Sequence, residues 1–164
     1  MVDRIIWVNL FKGGHITYRP YSAIISAAQA ANSNLSSTIT NLSGSTIPIL
    51  TPVSIDSDGY LTTIDVSDEE TSISLAGVTK EEIANNSSGS VALAGRIENI
   101  TTPFAHGDYL YVSKTGELTN IVPELGSNGF VAGDSVIRVG IIVRNSTTPS
   151  QKDLLVKMQL VGKV

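Results

Sequence analysis

Cysteine is absent from all 164 residues, which removes disulfides, thiolate nucleophiles and cysteine-based zinc sites at once. Charge is scarce too, at 16% of residues, and the 11 basic against 15 acidic side chains leave a formal net charge of −4. A chain of that sign has no electrostatic grip on a phosphate backbone, so nucleic acid is excluded as a partner. No long apolar run is present. The opening segment Met1-Val2-Asp3-Arg4-Ile5-Ile6-Trp7-Val8-Asn9-Leu10-Phe11 is too short to span a bilayer and lacks a signal-peptide cleavage pattern, so neither a membrane partner nor export on its own is expected.

What is present is apolar enough to fold and polar enough to turn often. Hydrophobic residues make up 41% of the chain, while Ser, Thr, Asn and Gly fill much of the remainder. That composition favours strands and turns over free-standing helices. The length fits one domain, or one domain with an appendage.

The strongest strand signals lie between Gly107 and Val143. Gly107-Asp108-Tyr109-Leu110-Tyr111-Val112 is a breaker followed by aromatic and β-branched residues, and Ser113-Lys114-Thr115-Gly116 turns it toward Glu117-Leu118-Thr119 as a hairpin. Beyond a loop holding Pro123, Gly126, Gly129 and Gly133, the run from Val136 to Val143 is a second strong strand, with Gly140 marking a bulge or a close backbone approach. A second hairpin is expected where Ile49 to Ile55, interrupted by Pro52, turns through Asp56-Ser57-Asp58-Gly59 into Tyr60 to Val66. Both hairpins end in Gly-x-Leu-Thr, Gly59 to Thr62 and Gly116 to Thr119, which fits either a duplicated β-unit or shared turn chemistry.

Further strands are expected over residues 72–78, 90–100 and 151–161, the last with Leu154, Val156, Met158 and Leu160 on one face. Thr79 with Glu82 three positions later predicts a capping box and one helical turn. Ser67-Asp68-Glu69-Glu70 reads as an exposed acidic corner.

The N-terminal third reads differently. Arg4 to Phe11 is apolar on both faces, and Ile5, Ile6, Trp7, Val8, Leu10 and Phe11 form a candidate anchor strand, either for this chain or for a neighbour's sheet. Over residues 21–42, Ile24, Ala28, Ala31, Leu35, Ile39 and Leu42 recur at steps of three or four, which predicts an α-helix with a narrow apolar seam. A seam of that kind needs a cover, either the chain's own β-domain or two further copies of the helix in a homotrimer. The expected organisation is therefore an anchor strand and helix over residues 1–45 and an antiparallel β-barrel or sandwich over residues 46–164.

Candidate sites are weak. His106, Asp108 and Ser113 bring a base, a carboxylate and a hydroxyl close in sequence, but no nucleophile elbow or oxyanion motif accompanies them, so no catalytic residue is assigned. Asp56-Ser57-Asp58-Gly59 opens like a calcium loop, but Tyr60 and Ser67 stand where that pattern needs ligands, so no metal and no cofactor is expected. Asn-x-Ser/Thr sequons, such as those at Asn34, Asn41, Asn86, Asn99 and Asn145, are what a chain this rich in those residues produces by chance.

The elements Gly107-Asp108-Tyr109-Leu110-Tyr111-Val112, Gly116-Glu117-Leu118-Thr119 and Val139-Gly140-Ile141-Ile142-Val143, with the strand that follows, resemble a small β-module of tailed-bacteriophage virion proteins. That module occurs in head fibres, capsid decoration proteins and tail-fibre or baseplate components, and the resemblance covers residues 104–164. It implies a non-enzymatic structural protein of the virion, assembled in the host cytoplasm. Joined to the seam argument, it gives a homotrimeric head fibre or capsid decoration protein, held by its N-terminal segment to a neighbour such as the major capsid protein. The alternative is a tail-fibre or baseplate part, or a module binding a host-surface glycan through Tyr60, Tyr109 or Tyr111.

Overall fold

The computed structural model describes residues 7–12, 15–20 and 34–164. The chain divides into two compact units, residues 1–33 and residues 34–164. In the first, β1 (Trp7–Lys12) and β2 (His15–Pro20) form an antiparallel pair with Lys12 opposite His15. Trp7, Val8, Leu10 and Phe11 of the expected anchor lie in β1, while Ile5 and Ile6 lie outside the described residues.

The second unit is mainly β. Its strands are β3 (Asn34–Asn41), β4 (Pro52–Ile55), β5 (Leu61–Thr63), β6 (Leu75–Thr79), β7 (Ser87–Ile100), β8 (Tyr109–Val112), β9 (Leu118–Thr119), β10 (Ser135–Arg144) and β11 (Lys152–Lys163). They hydrogen-bond in the order β3-β5-β4-β6-β7-β11-β10-β8-β9, and β3 also pairs with β7, which closes the first five strands into a barrel.

Two expectations about helices are corrected. Asn34–Asn41 is a strand, so the helix predicted over residues 21–42 does not include Leu35 or Ile39; Ile24, Ala28 and Ala31 lie outside the described residues. Leu35 and Ile39 stand four apart, and a spacing of four keeps two side chains on one face of a strand as well as of a helix, while Thr38-Ile39-Thr40 is β-branched throughout. Leu42, past the strand, is exposed. The β-body thus starts at Asn34 and not near residue 46. The second correction concerns Thr79, which caps no helix. Its hydroxyl donates to the Pro48 carbonyl at 2.7 Å and accepts from the Thr51 amide at 2.9 Å, and it is held in β6 by those bonds. Among the described residues the one helix, α1 (Glu69–Ile73), comes from the supposed acidic corner and the start of the strand expected over residues 72–78. Asp68 is its N-cap, accepting from the Glu70 amide at 3.0 Å.

The β-body repeats itself. Hairpin β4–β5 pairs Ser54 with Thr62 and Ile55 with Leu61; hairpin β8–β9 pairs Tyr111 with Thr119 and Val112 with Leu118. β4 meets β6 at Pro52↔Val78 and Val53↔Gly77, then slips by one residue before Ser54↔Leu75. β8 meets β10 at Tyr109↔Ile141 and Leu110↔Gly140, with the same slip before Tyr111↔Arg138. Val78↔Ala92 and Thr79↔Val91 join β6 to β7 as Ile141↔Leu155 and Ile142↔Leu154 join β10 to β11.

Even the flanking bonds recur. The Leu50 amide reaches the Thr79 carbonyl and the Thr79 amide the Thr51 carbonyl, each at 3.0 Å; Gly107 reaches Ile142 at 2.8 Å and Ile142 reaches Asp108 at 2.9 Å. Leu50 and Gly107 share a positive φ, 59° and 92°. A Cβ on Gly77 would collide with the Ala92 carbonyl oxygen, and one on Gly140 with that of Leu155, so both positions require glycine for the same close strand approach. Correspondence on this scale goes beyond shared turn chemistry. β7 ends the first copy and opens the second.

The copies differ in two places. Gly116 follows Gly59 by 57 positions and Gly140 follows Gly77 by 63, so the second copy carries six extra residues between β9 and β10. In the first copy β3 closes the ring onto β5 through Asn41↔Leu61, whereas β9 pairs only with β8 among the described strands. A shorter connection accounts for the open ring: Ser37 stands thirteen positions before Leu50, but Ile97, its equivalent opposite β11, stands ten before Gly107. Ile47, Val53, Leu61, Ile83 and Val91 form a core within the first copy, while a larger cluster around Leu110, Ile137, Ile142 and Leu154 of the second also takes in Ile64, Val66, Val78 and Ala92.

Candidate functional site

The second copy departs from the first most in residues 120–134, the longer connection between β9 and β10. Four large aliphatic side chains are exposed there: Ile121 at 53%, Val122 at 50%, Leu125 at 66% and Val131 at 57%. Scattered singly such residues need no account, but four within eleven positions form an apolar surface that water does not favour.

The connection is firmly held. Phe130 and Pro123 are buried, and the Gly126 amide reaches the Phe130 carbonyl at 2.9 Å while Phe130 reaches Ser127 at 3.0 Å. Asn128, Gly126, Gly129 and Gly133 take positive φ, which lets the chain turn this tightly. At its end, the Gly133 amide donates to Val164 at 2.7 Å and the Ser135 amide to Val66 at 2.7 Å.

Asp134 fastens the connection to the hairpin tip. Its Oδ2 accepts from Lys114 Nζ at 2.7 Å and from the Val131 amide at 2.8 Å. The Lys114 hydrogen bond, then the Val131 amide, hold its carboxyl below the usual carboxylate range despite burial. Between tip and connection lies a cleft of about 240 Å³, with Lys114 and Thr115 on one side and Ile121, Pro123, Asn128 and Phe130 on the other. Its ammonium is already neutralised by Asp134. The cleft's lining mixes apolar Ile121, Pro123 and Phe130 with polar Ser113, Thr115, Thr119 and Asn128.

The residues weighed for chemistry are occupied elsewhere. His106 Nε2 lies 3.4 Å from the Gln151 carbonyl, Asp108 Oδ2 accepts from the Ala105 amide at 2.9 Å and from Asn120 Nδ2 at 3.0 Å, and Ser113 Oγ accepts from the Thr115 and Glu117 amides at 3.3 and 3.1 Å. Asp56 Oδ1 does the same in the other hairpin, accepting from the Asp58 and Tyr60 amides at 3.0 and 2.8 Å, so the calcium-like stretch is an Asx turn. Among the described residues no three His, Cys, Asp or Glu side chains converge in a way that would hold a metal.

Sequence reasoning missed the buried polar latches. Asp153 is fully buried in β11; its Oδ2 meets Arg96 Nη1 at 2.8 Å, and its Oδ1 accepts from the Asn99 amide at 2.9 Å and Asn145 Nδ2 at 3.0 Å. Burial pushes its carboxyl up, but the bonds from Asn145, Asn99 and Arg96 outweigh that and leave it below the usual range. A carboxylate inside Lys152-Asp153-Leu154-Leu155 was the available signal. Sequon asparagines also fasten strands: buried Asn41 donates from Nδ2 to the Ile83 and Ser45 carbonyls at 2.8 Å each, and exposed Asn34 accepts at Oδ1 from the Arg96 amide at 2.8 Å.

On the outer face of the second copy, Tyr109 is 52% exposed with the Arg138 guanidinium 5.7 Å from its ring centre. Leu155 and Lys157 complete a shallow groove of about 160 Å³ there. Tyr111 and Tyr60 are half-buried, and Tyr60 belongs to the other hairpin.

No protein-family model, no curated protein and no solved structure matches this chain.

Proposed function

We propose that this chain is a non-enzymatic structural protein of a tailed-bacteriophage virion, a homotrimeric head fibre or capsid decoration protein attached through its N-terminal segment. The observation that carries the reading is that residues 104–164, where the resemblance lies, fold as β8 to β11 and present a rigid apolar connection with no reactive group free beside it. Such a surface favours holding a neighbour over turning over a substrate. A protein that binds only an assembled shell stabilises it by mass action.

The trimer no longer draws on a helical seam, since Leu35 and Ile39 lie in β3. It rests instead on the exposed aliphatic residues of the second copy. Sedimentation of the full chain is the test: a monomer at micromolar concentration overturns the trimer. Immunogold labelling of virions from the encoding phage tests placement, with label on heads expected and label confined to tails favouring a fibre or baseplate part.

A second reading, a glycan-binding module, is favoured by Tyr109 with Arg138 and Lys157 on one open face, where a ring could stack and an acidic group find a cation. Glycan-array binding that disappears in Tyr109→Ala would support it over the first.

A further inference from the structure

We infer that the outer face of the second copy, where Arg138 and Lys157 flank Tyr109 and Leu155, docks the acidic corner of another copy of this chain, Asp68 to Glu70 with the nearby Ile73, in a head-to-tail contact. The inference rests on the homotrimer reading and names the contact that holds it together. The repeat gives the first argument. Pro52, Val78 and Ala92 in the first copy are equivalent to Tyr109, Ile141 and Leu155 in the second, and all three are buried, Val78 and Ala92 in one cluster with Leu110 and Leu154 of the second copy. This face of the unit is thus a docking face once already. In the second copy the same row faces solvent, with Tyr109 and Leu155 exposed and Ile141 half-buried. Leu75 and Ala94 stand where Arg138 and Lys157 stand, so the β-unit itself requires neither cation.

Charge gives the second argument and selects the occupant. Residues 34–92 hold eight acidic side chains and one basic, Lys80, whereas residues 93–164 hold six acidic and seven basic. Arg138 and Lys157 join no ion pair among the described residues; Arg138 donates to neutral Gln159 at 2.9 Å and lies over the Tyr109 ring. Asp68, Glu69 and Glu70 are all exposed, and Ile73, three and four positions beyond the two glutamates on α1, shares their side of the helix at 64% exposure. The pair between Glu69 and Lys163 is 3.6 Å long and lies in solvent, so it holds the corner weakly. Setting Ile73 on Leu155 and the Tyr109 ring brings two carboxylates to two cations and strands neither sign. Because one patch meets a different patch, the contact is heterologous, the kind that closes into a ring.

Sedimentation of the full chain with charge reversals is the test. Arg138→Glu with Lys157→Glu, and separately Glu69→Lys with Glu70→Lys, should each weaken association at least about tenfold while leaving the thermal melt unchanged. All four substitutions together restore the opposed charges and should restore association, an outcome that misfolding does not produce. A trimer that survives either reversal overturns this contact and leaves the homotrimer reading standing. Loss in both reversals without recovery in the fourfold variant overturns the pairing of these two patches. A monomeric unaltered chain overturns the contact and the trimer together; if that monomer binds an acidic glycan and loses it in Arg138→Glu, the occupant of the face is a sugar.

Discussion

The two copies of the β-unit share their hairpins, their slipped pairing and their close-approach glycines, yet one is shut and the other open. The shut copy has the shorter connection after its hairpin, a strand across its edge and a core of five buried aliphatics. The open one has six more residues between its hairpin and the next strand, an apolar surface facing water, and a core cluster that extends to Ile64, Val66 and Val78 of its neighbour. Where the copies agree, the residues answer to the geometry of five strands in a tight ring; where they disagree, that geometry no longer dictates the residue. Function is best sought in the disagreement.

The equivalence is broken most severely at the glycines. Gly77→Ala and Gly140→Ala each drive a methyl into a carbonyl of the neighbouring strand, and each should lower unfolding stability by about 3 kcal/mol in urea titration. If the copies are equivalent the two losses agree within about 1 kcal/mol; a harmless Gly140→Ala would show that the open copy relaxes where the shut one does not.

Asp153 sharpens the contrast, since the position before Val91 in the first copy is Ser90, whose amide is met by Glu81 at 2.7 Å in place of a buried carboxylate. Asp153→Ala strands Asn145 and the Arg96 guanidinium, which is part-exposed, and should cost about 2 kcal/mol by the same titration.

Acid probes this group differently. The carboxyls of Asp153 and Asp134 sit below their unfolded values, so the folded state binds fewer protons, and the stability they contribute is complete above about pH 4 and lost as pH falls further. Tm should fall between about pH 4 and pH 2 and fall less in Asp153→Asn.

The smallest effects belong to the turns. Asp56→Ala and Ser113→Ala each remove one acceptor for two amides, and each should cost about 1 kcal/mol in thermal melts. A much larger loss at Asp56 would revive the idea that its loop holds more than a turn.

Much of the fold could be read from residues whose signal is local. The Asp56 and Ser113 turns, the hairpin strands either side of them and the bulge at Gly140 were all legible, because turn chemistry and β-branching act over a few positions. The end of the predicted helix was misread because a spacing of four serves both periods, and only tertiary pairing with β7 decides for the strand. Thr79 was misread because the groups that claim its hydroxyl, Pro48 and Thr51, lie some thirty positions away. The site was half legible: Pro123, Gly126, Gly129 and Gly133 marked a loop, but its exposure and its latch to Lys114 depend on a lysine and an aspartate twenty residues apart. The repeat was visible as two Gly-x-Leu-Thr turns, although the pairings that establish it leave no mark in sequence.

Strand β7 runs for 14 residues and serves both rings, the first with its leading half and the second with its trailing half. Neither ring can then melt while its neighbour stays intact without tearing a continuous ladder along its length. Heat or denaturant should undo the pair in a single step, and damage inflicted on one ring should be felt in the melting of the whole.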